Sequence, residues 1–420
     1  ALDETEAALR VANDAVFFEA TLQHDGVLFR ADILSKEAER TDLSEVKSST
    51  TVKDEHIQDC AIQSWVLRGV GYPADRVALV HIDNSFVYGG DGDYTGLFAE
   101  KDITGKVRAL ESDVSDWVDR CKQVIAGDMP DVEVGPHCKK PYPCPFLSHC
   151  QGDQPEYPVT KLPYGGKVVQ ELLNDGIDDI RKIPKGRLTN KTHERIRRIT
   201  AAGKAELNPQ AGKELRGLPY PRYYLDFETI GPAIPMWAGT RPYQHMPFQW
   251  SCHIEQENGE LDHAEFLDRS GEPPMRLLAE SLLAALGESG PIFMYTDFEK
   301  KRIQDLAKMF PDLAGALEKL IDRLVDLHPI TKEHYYHPAM KGSWSLKAVL
   351  PTIALELDYS QLGEVQDGTG AGRAYLECIR PGTNAERKAK LIKERKEYCE
   401  RDTYGMVKIA QHLANGKNQA

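Results

Sequence analysis

The segment RYYLDFETIGP, residues 222–232, decides how this chain is read. Tyr223, Leu225 and Phe227 alternate with Tyr224, Asp226 and Glu228, the period of two expected of a β-strand. Asp226 and Glu228 therefore share one face, about 7 Å apart along the chain. Two carboxylates side by side on a half-buried strand repel one another and lose hydration. A divalent cation resolves that conflict, because hard Mg2+ or Mn2+ takes oxygen ligands and neutralises adjacent carboxylates.

Further acids stand downstream in compatible settings. IFMYTDFEKKRIQDLA (292–307) predicts a strand running into a helix, with Glu299 in the first helical turn. EYCERDTYGMVKI (397–409) puts Tyr398 and Asp402 four residues apart, on one helical face. The order of these elements resembles the DnaQ-like 3′–5′ exonucleases of the RNase H-like fold, and specifically their tyrosine-bearing DEDD class. That resemblance implies two-metal catalysis, with Asp226, Glu228, Glu299 and Asp402 as ligands and Tyr398 orienting the attacking water. The family usually carries Asp after the Phe, whereas Phe298 is followed by Glu299. Asp297 is the alternative, and it would equally serve as a helix cap. RLVDL, with Asp326, resembles a further recurring strand of that family, structural or supporting the ligands.

The N-terminal third carries a second acid cluster. Runs such as AVFFEATL, GVLFRADIL and LSEVKSS predict strands, DEHIQDCAIQSWVLRG (54–69) a helix, and RVALVHID another strand. Asp32 closes one strand, and Glu45 and Lys47 share a face of the next. This D…E-x-K order resembles the PD-(D/E)XK (restriction-endonuclease-like) nucleases, especially their RecB-like and CRISPR-associated RecB-like branches. By that resemblance Asp32 and Glu45 bind Mg2+, and Lys47 positions and activates water. Gln63 matches the Gln of the family's Q-x-x-Y motif, although Val66 stands where the Tyr belongs. Glu19 is a weak candidate for the family's upstream His or Glu. A surface strand bearing a salt bridge is the plainer alternative.

GPHCKKPYPCPFLSHC (135–150) spaces Cys138, Cys144 and Cys150 evenly. In the CRISPR-associated relatives three such cysteines join an upstream one around a [4Fe–4S] cluster, so the resemblance implies that cofactor here. Zn2+ held by the thiolates with His137 or His149 is the alternative. The chain starts at Ala1 and has no cysteine before Cys60, so a fourth ligand would lie in a missing N-terminal segment. The other cysteines, Cys399 among them, read as packing.

A length of 420 residues predicts two or three domains of α/β class. The expected order is residues 1–150 for the PD-(D/E)XK domain, 151–217 for a linker and basic helical connector, and 218–420 for the exonuclease domain. The connector carries Arg181, Lys182, Lys185, Arg187, Lys191, Arg195, Arg197 and Arg198, a candidate phosphate contact or a solvated face. LLNDGIDDIRKIP faintly resembles a helix-hairpin-helix element. In HPAMKGSWSLKAVLP, Ser345 is a candidate cap and Lys347 a candidate phosphate contact.

A net charge of −13 argues against a protein that coats nucleic acid with a basic surface, but not against a metal-dependent enzyme. No run has the length of a membrane span, and cysteine usage fits a reducing cytoplasm. Over nearly its full length the chain resembles a bacterial family that fuses a RecB-like nuclease to a DnaQ-like domain. The expectation is a cytoplasmic, metal-dependent nuclease acting on nucleic acid, DNA before RNA, in repair or defence. RNA 3′ trimming and a catalytically decayed nucleic-acid-binding scaffold are the alternatives.

Overall fold

The computed structural model describes residues 1–152, 154–357 and 362–416. They form a mixed α/β protein with two five-stranded sheets and a short two-stranded one. The chain divides into two compact units, Ala1–Gly152 with Gly231–Gln244, and Asp153–Ile230 with His245–Ala420.

In the first unit, helix α1 (Leu2–Val11) precedes strands β1 (Asp14–His24), β2 (Val27–Glu37) and β3 (Arg40–Lys47). Helix α2 (Asp54–Gly69) then leads to β4 (Arg76–Ile82), β5 (Phe98–Asp102) and α3 (Thr104–Ala126). Asp25 and Gly26, both at positive φ, make the tight turn of the β1–β2 hairpin. The sheet runs in sequence order, antiparallel except where β3 pairs parallel with β4 after the α2 crossover. Burial alternates along β3, so Thr41, Leu43 and Glu45 share the covered face. Leu9, Leu22, Leu34, Leu43, Leu67 and Leu79 are fully buried in the core, each contributing about 1.5–3 kcal/mol. A one-turn helix, α4 (Leu147–Cys150), closes the cysteine-bearing segment.

The second unit begins with α5 (Gly166–Asn174), α6 (Lys191–Ala202), β6 (Glu206–Leu207) and α7 (Gln210–Arg216). The helical connector expected within 151–217 is thus interrupted, at Gly176, Pro184 and Gly186, where no helix continues. Apart from Asp153, which lies outside the described residues, the segment read as linker and connector is well packed. Leu172, Ile180, Ile196, Ile199 and Leu215 join one core with Tyr224, Phe293, Leu327 and Met406.

The main sheet of this unit comprises β7 (Arg222–Ile230), β8 (Met246–Glu255), β9 (Leu261–Leu267), β10 (Ile292–Met294) and β11 (Leu324–Asp326). Helix α8 (Met275–Ala285) follows β9, while α9 (Phe298–Met309) and α10 (Ala314–Ile321) separate β10 from β11. The strand order is β11-β10-β7-β8-β9, with β7 parallel to β10 and antiparallel to β8. After β11 come α11 (Leu327–His334), β12 (Tyr335–Tyr336, paired with β6), α12 (Leu346–Val349), α13 (Gly368–Ile379) and α14 (Ala385–Asn415). Every residue of the central β7 is buried or half-buried, with α13 and α14 packed on the strand, so its alternation does not mark a solvated side. Among the described residues no helix is long and apolar enough to cross a membrane.

Between β7 and β8 the chain leaves the second unit for residues 231–244. Tyr243 N–H donates to the Pro232 carbonyl at 2.9 Å and closes this excursion. Its tip is held to the first unit by Tyr88 N–H to the Thr240 carbonyl (3.0 Å) and Gly239 N–H to the Tyr88 carbonyl (2.8 Å). The Tyr94 hydroxyl adds a bond to the Pro235 carbonyl at 3.2 Å, and Trp237 is buried.

Candidate metal centres

Three elements of the second unit bring acids together. Strand β7 supplies Asp226 and Glu228 just before a register irregularity at Glu228/Thr229. The first turn of α9 supplies Glu299, and the middle of α14 supplies Tyr398, Cys399 and Asp402. Glu228, Glu299, Tyr398, Cys399 and Asp402 are all buried, and Asp226 is half-buried. Asp226, Glu228 and Cys399 each offer a ligand atom within 4.8 Å of the others. Sγ of Cys399 donates to Oδ2 of Asp226 at 3.5 Å.

The electrostatics record the crowding. Burial, reinforced by the charge of Asp402, lifts Asp226 to about 8, although hydrogen bonds from Cys399 and Glu299 work the other way. Burial and then the charges of Asp226 and Asp402 push Glu228 well above the usual carboxylate range, with Lys347 opposing. Burial and Asp226 likewise raise Glu299. Oε2 of Glu299 is buried with no hydrogen-bond partner. An all-carboxylate oxygen set with an unsatisfied buried oxygen fits a hard divalent cation, which would occupy the lone pair and lower all these pKa values. The Cys399 sulfur adds a softer donor that tolerates Mn2+ better than Mg2+. The start of α13 also closes on this place: a Cβ on Gly368 would stand 3.6 Å from Oε2 of Glu228.

The neighbouring candidates separate into roles. Asp297 is exposed, pairs with Lys301 at 2.7 Å and makes no side-chain cap, so Glu299 is the acid directed inward. Oδ1 of Asp326 accepts from the backbone of Thr296 and His328, both at 2.9 Å, pinning the turn before α9 and capping α11. Ser345 sits at the start of α12 without the expected side-chain cap. Lys347 donates to the Gln366 carbonyl at 2.6 Å and lies 5.3 Å from the Tyr398 ring centre.

In the first unit, Asp32, Glu45, Lys47 and Gln63 also converge. Oδ2 of Asp32 accepts from Val46 N–H at 2.7 Å. Glu45 accepts from Lys47 Nζ at 2.6 Å and from Gln63 Nε2 at 3.0 Å. Asp59, one turn before Gln63 on α2, binds Lys47 Nζ at 2.7 Å. Burial raises Glu45, and Lys47 and Gln63 only partly offset it. Burial disfavours the Lys47 ammonium, yet its bonds to Asp59 and Glu45 outweigh that and hold it above its usual value. Glu19 instead pairs with Arg30 on the surface at 3.5 Å. Asp59 and Cys399 are the functional candidates that sequence reasoning missed. The i, i+4 spacing of Asp59 and Gln63 was the available signal for the first; an apolar-looking Cys beside Tyr398 carried none for the second.

The cysteine segment is organised differently. Cys138 is buried, Cys144 half-buried and Cys150 exposed, and Cys144 N–H donates to the Cys138 carbonyl at 2.8 Å. Among the described residues, these thiols do not form a set with ligand atoms within 4.8 Å of one another, with or without a histidine. In the basic segment most charges are paired: Arg181 with Asp179 and Glu156, Lys182 with Asp178, Arg187 with Asp175, Arg197 with Glu194, and Arg195 and Arg198 with Glu206.

Comparison with known proteins adds one result. Residues 223–345 match a family model described as Domain of unknown function (DUF2779). Searches of curated proteins and of solved structures gave no match. The matched span includes β7 with Asp226 and Glu228, and α9 with Glu299, but stops before Tyr398 and Asp402.

Proposed function

We propose that this protein is a metal-dependent nuclease that hydrolyses phosphodiester bonds at the 3′ ends of DNA through the Asp226 centre, with a second, RecB-like centre at Glu45. The observation that carries this reading is the convergence of Asp226, Glu228, Glu299 and Asp402: burial, and then the like charges gathered there, raise Asp226, Glu228 and Glu299. Such a set is costly alone and stable around divalent cations. Its support on a central strand paired antiparallel with β8 and parallel with β10 suits an RNase H-like nuclease. The antiparallel hairpin, parallel crossover and E-x-K strand of the first unit suit a PD-(D/E)XK nuclease.

Bound Mg2+ or Mn2+ would supply Lewis-acid stabilisation of charge developing at phosphorus and a readily deprotonated water. The four carboxylates would hold the cations. Tyr398, buried beside them, orients the attacking water through its hydroxyl. Lys347 lowers the proton affinity of Glu228, opposing the burial and like charges that raise it. In the other centre, Glu45 and Asp32 are the ligands, and Lys47 stands ready to orient water or stabilise the scissile phosphate. The test is release of nucleotides from end-labelled single-stranded DNA and RNA in Mg2+, Mn2+ or EDTA. Metal-dependent shortening of DNA supports the proposal; intact DNA under all three conditions overturns it.

A further inference from the structure

Beside the Glu45–Lys47 centre the first unit opens a cavity of about 520 Å3, lined among others by Lys47, Ser48, Thr51, Lys53, Tyr142 and Tyr243. The β3–α2 connection lines it with four consecutive hydroxyl residues, flanked by Lys47 and, beyond Val52, by Lys53. Two phenol rings stand at its rim, with Tyr142 61% and Tyr243 37% exposed. Tyr243 reaches this place only because the 231–244 excursion leaves the β7–β8 connection and packs on the first unit. Its hydroxyl donates to the Ser48 carbonyl. Its backbone holds φ +58°, a left-handed conformation unfavourable for a bulky side chain, and a Cβ on Gly231 would press the Tyr243 carbonyl oxygen at 3.3 Å. Strain of this kind persists where the surroundings over-determine a residue, and it concentrates at binding and catalytic sites.

We infer that this cavity is the strand-binding subsite of the N-terminal centre, taking a single-stranded nucleic acid whose bases stack on Tyr142 and Tyr243 and whose phosphates meet Lys53 and the Ser48–Thr51 hydroxyls. Exposed aromatic rings beside ammonium and hydroxyl donors are the combination that binds unpaired strands with little sequence preference. A duplex keeps its bases stacked internally and offers the rings nothing. Lys53 remains available to phosphate, because its contact with Glu55 is long (3.8 Å) and its side chain half exposed. The cavity continues to Lys47, so a strand lying in it delivers a phosphodiester to the Glu45 centre. This subsite rests on the nuclease reading of that centre only for its purpose, not for its binding chemistry.

The test is fluorescence anisotropy of labelled oligothymidylate in EDTA, with the full chain carrying Asp226→Asn and Glu45→Gln to abolish turnover. On this background Tyr243→Ala and Tyr142→Ala should each weaken binding about tenfold, the low end of base–aromatic stacking. Tyr243→Phe should restore most of the affinity, and Lys53→Gln should lower the salt slope by about one. Tyr142 makes no described anchoring bond, so its variant reports on binding even if Tyr243→Ala loosens the excursion. Unchanged affinity in Tyr142→Ala and Tyr243→Ala, or equal dependence on the tyrosines for a blunt duplex, would overturn the subsite. If the tyrosines matter and no cleavage is ever found, the subsite stands and the nuclease reading falls; cleavage with tyrosine-independent binding gives the reverse.

Discussion

Cys399 places its Sγ 3.5 Å from Oδ2 of Asp226, so a thiol shares the nest of carboxylates on β7. Burial, then the surrounding acids, push this thiol well above its ordinary range, and it stays a hydrogen-bond donor while no cation is present. A nearby sulfur favours the softer of two competing hard cations. Cys399→Ser keeps a donor of similar size and replaces sulfur by oxygen. The ratio of initial rates in Mg2+ and Mn2+ should therefore move towards Mg2+. An unchanged ratio would show that the sulfur does not bear on the cation.

The Asp226 carboxyl predicts a pH dependence of stability. Folding lifts it to about 8 through burial and the charge of Asp402. In an unfolded chain it titrates near pH ~4. The metal-free folded state therefore holds a proton that the unfolded chain releases, and its contribution is full below about pH 4 and lost as pH rises through about 8. In EDTA, Tm should fall between about pH 5 and pH 8, and the fall should be shallower in Asp226→Asn. Mn2+ should bind more tightly as pH rises, with release of protons. Parallel Tm profiles for the two proteins would contradict this.

Neutralising one acid should separate stability from chemistry. Asp226→Asn and Asp402→Asn each remove a charge that opposes its neighbours, so metal-free Tm should hold or rise. Catalysis of 3′-end release should drop by more than about a hundredfold, the scale of losing electrostatic stabilisation at a reacting centre. Tyr398→Phe should be milder, because the ligands remain. A large fall in Tm in either Asn variant would mean that these carboxylates are structural.

Lys47 holds two acids together, Glu45 at 2.6 Å and Asp59 at 2.7 Å. Lys47→Ala leaves them facing one another, and should cost about 1–2 kcal/mol at neutral pH, between exposed and buried ion pairs. Adding Asp59→Asn should recover part of that loss. Urea unfolding of the two single variants and the double variant measures the coupling. Strictly additive losses would sink this account of the cluster.

Much of this was readable in the sequence where one residue determines its own environment. The alternation of RYYLDFETI predicts β7 and puts Asp226 and Glu228 on one face; LSEVKSS does the same for Glu45 and Lys47. The i, i+4 spacing of Tyr398 and Asp402 places both on the buried face of α14. What escaped depends on partners distant in sequence. Asp59 gains meaning only when α2 packs over β3, and Cys399 only when α14 crosses β7. The paired charges of Arg195 and Arg198 depend on Glu206, which nothing in the local pattern links to them. In GPAIPMWAGTRPYQ (231–244) no local signal says that Trp237 will be buried with the first unit.

The most direct test of the central claim is stepwise shortening of 5′-labelled single-stranded DNA in Mn2+, compared across wild type, Asp226→Asn, Lys47→Ala and the double variant. The expected result is a ladder of 3′-trimmed products that disappears in Asp226→Asn and persists in Lys47→Ala, with any remaining cleavage in Asp226→Asn lost in the double variant. Full 3′ trimming by Asp226→Asn would contradict the reading of β7 as a metal-binding strand.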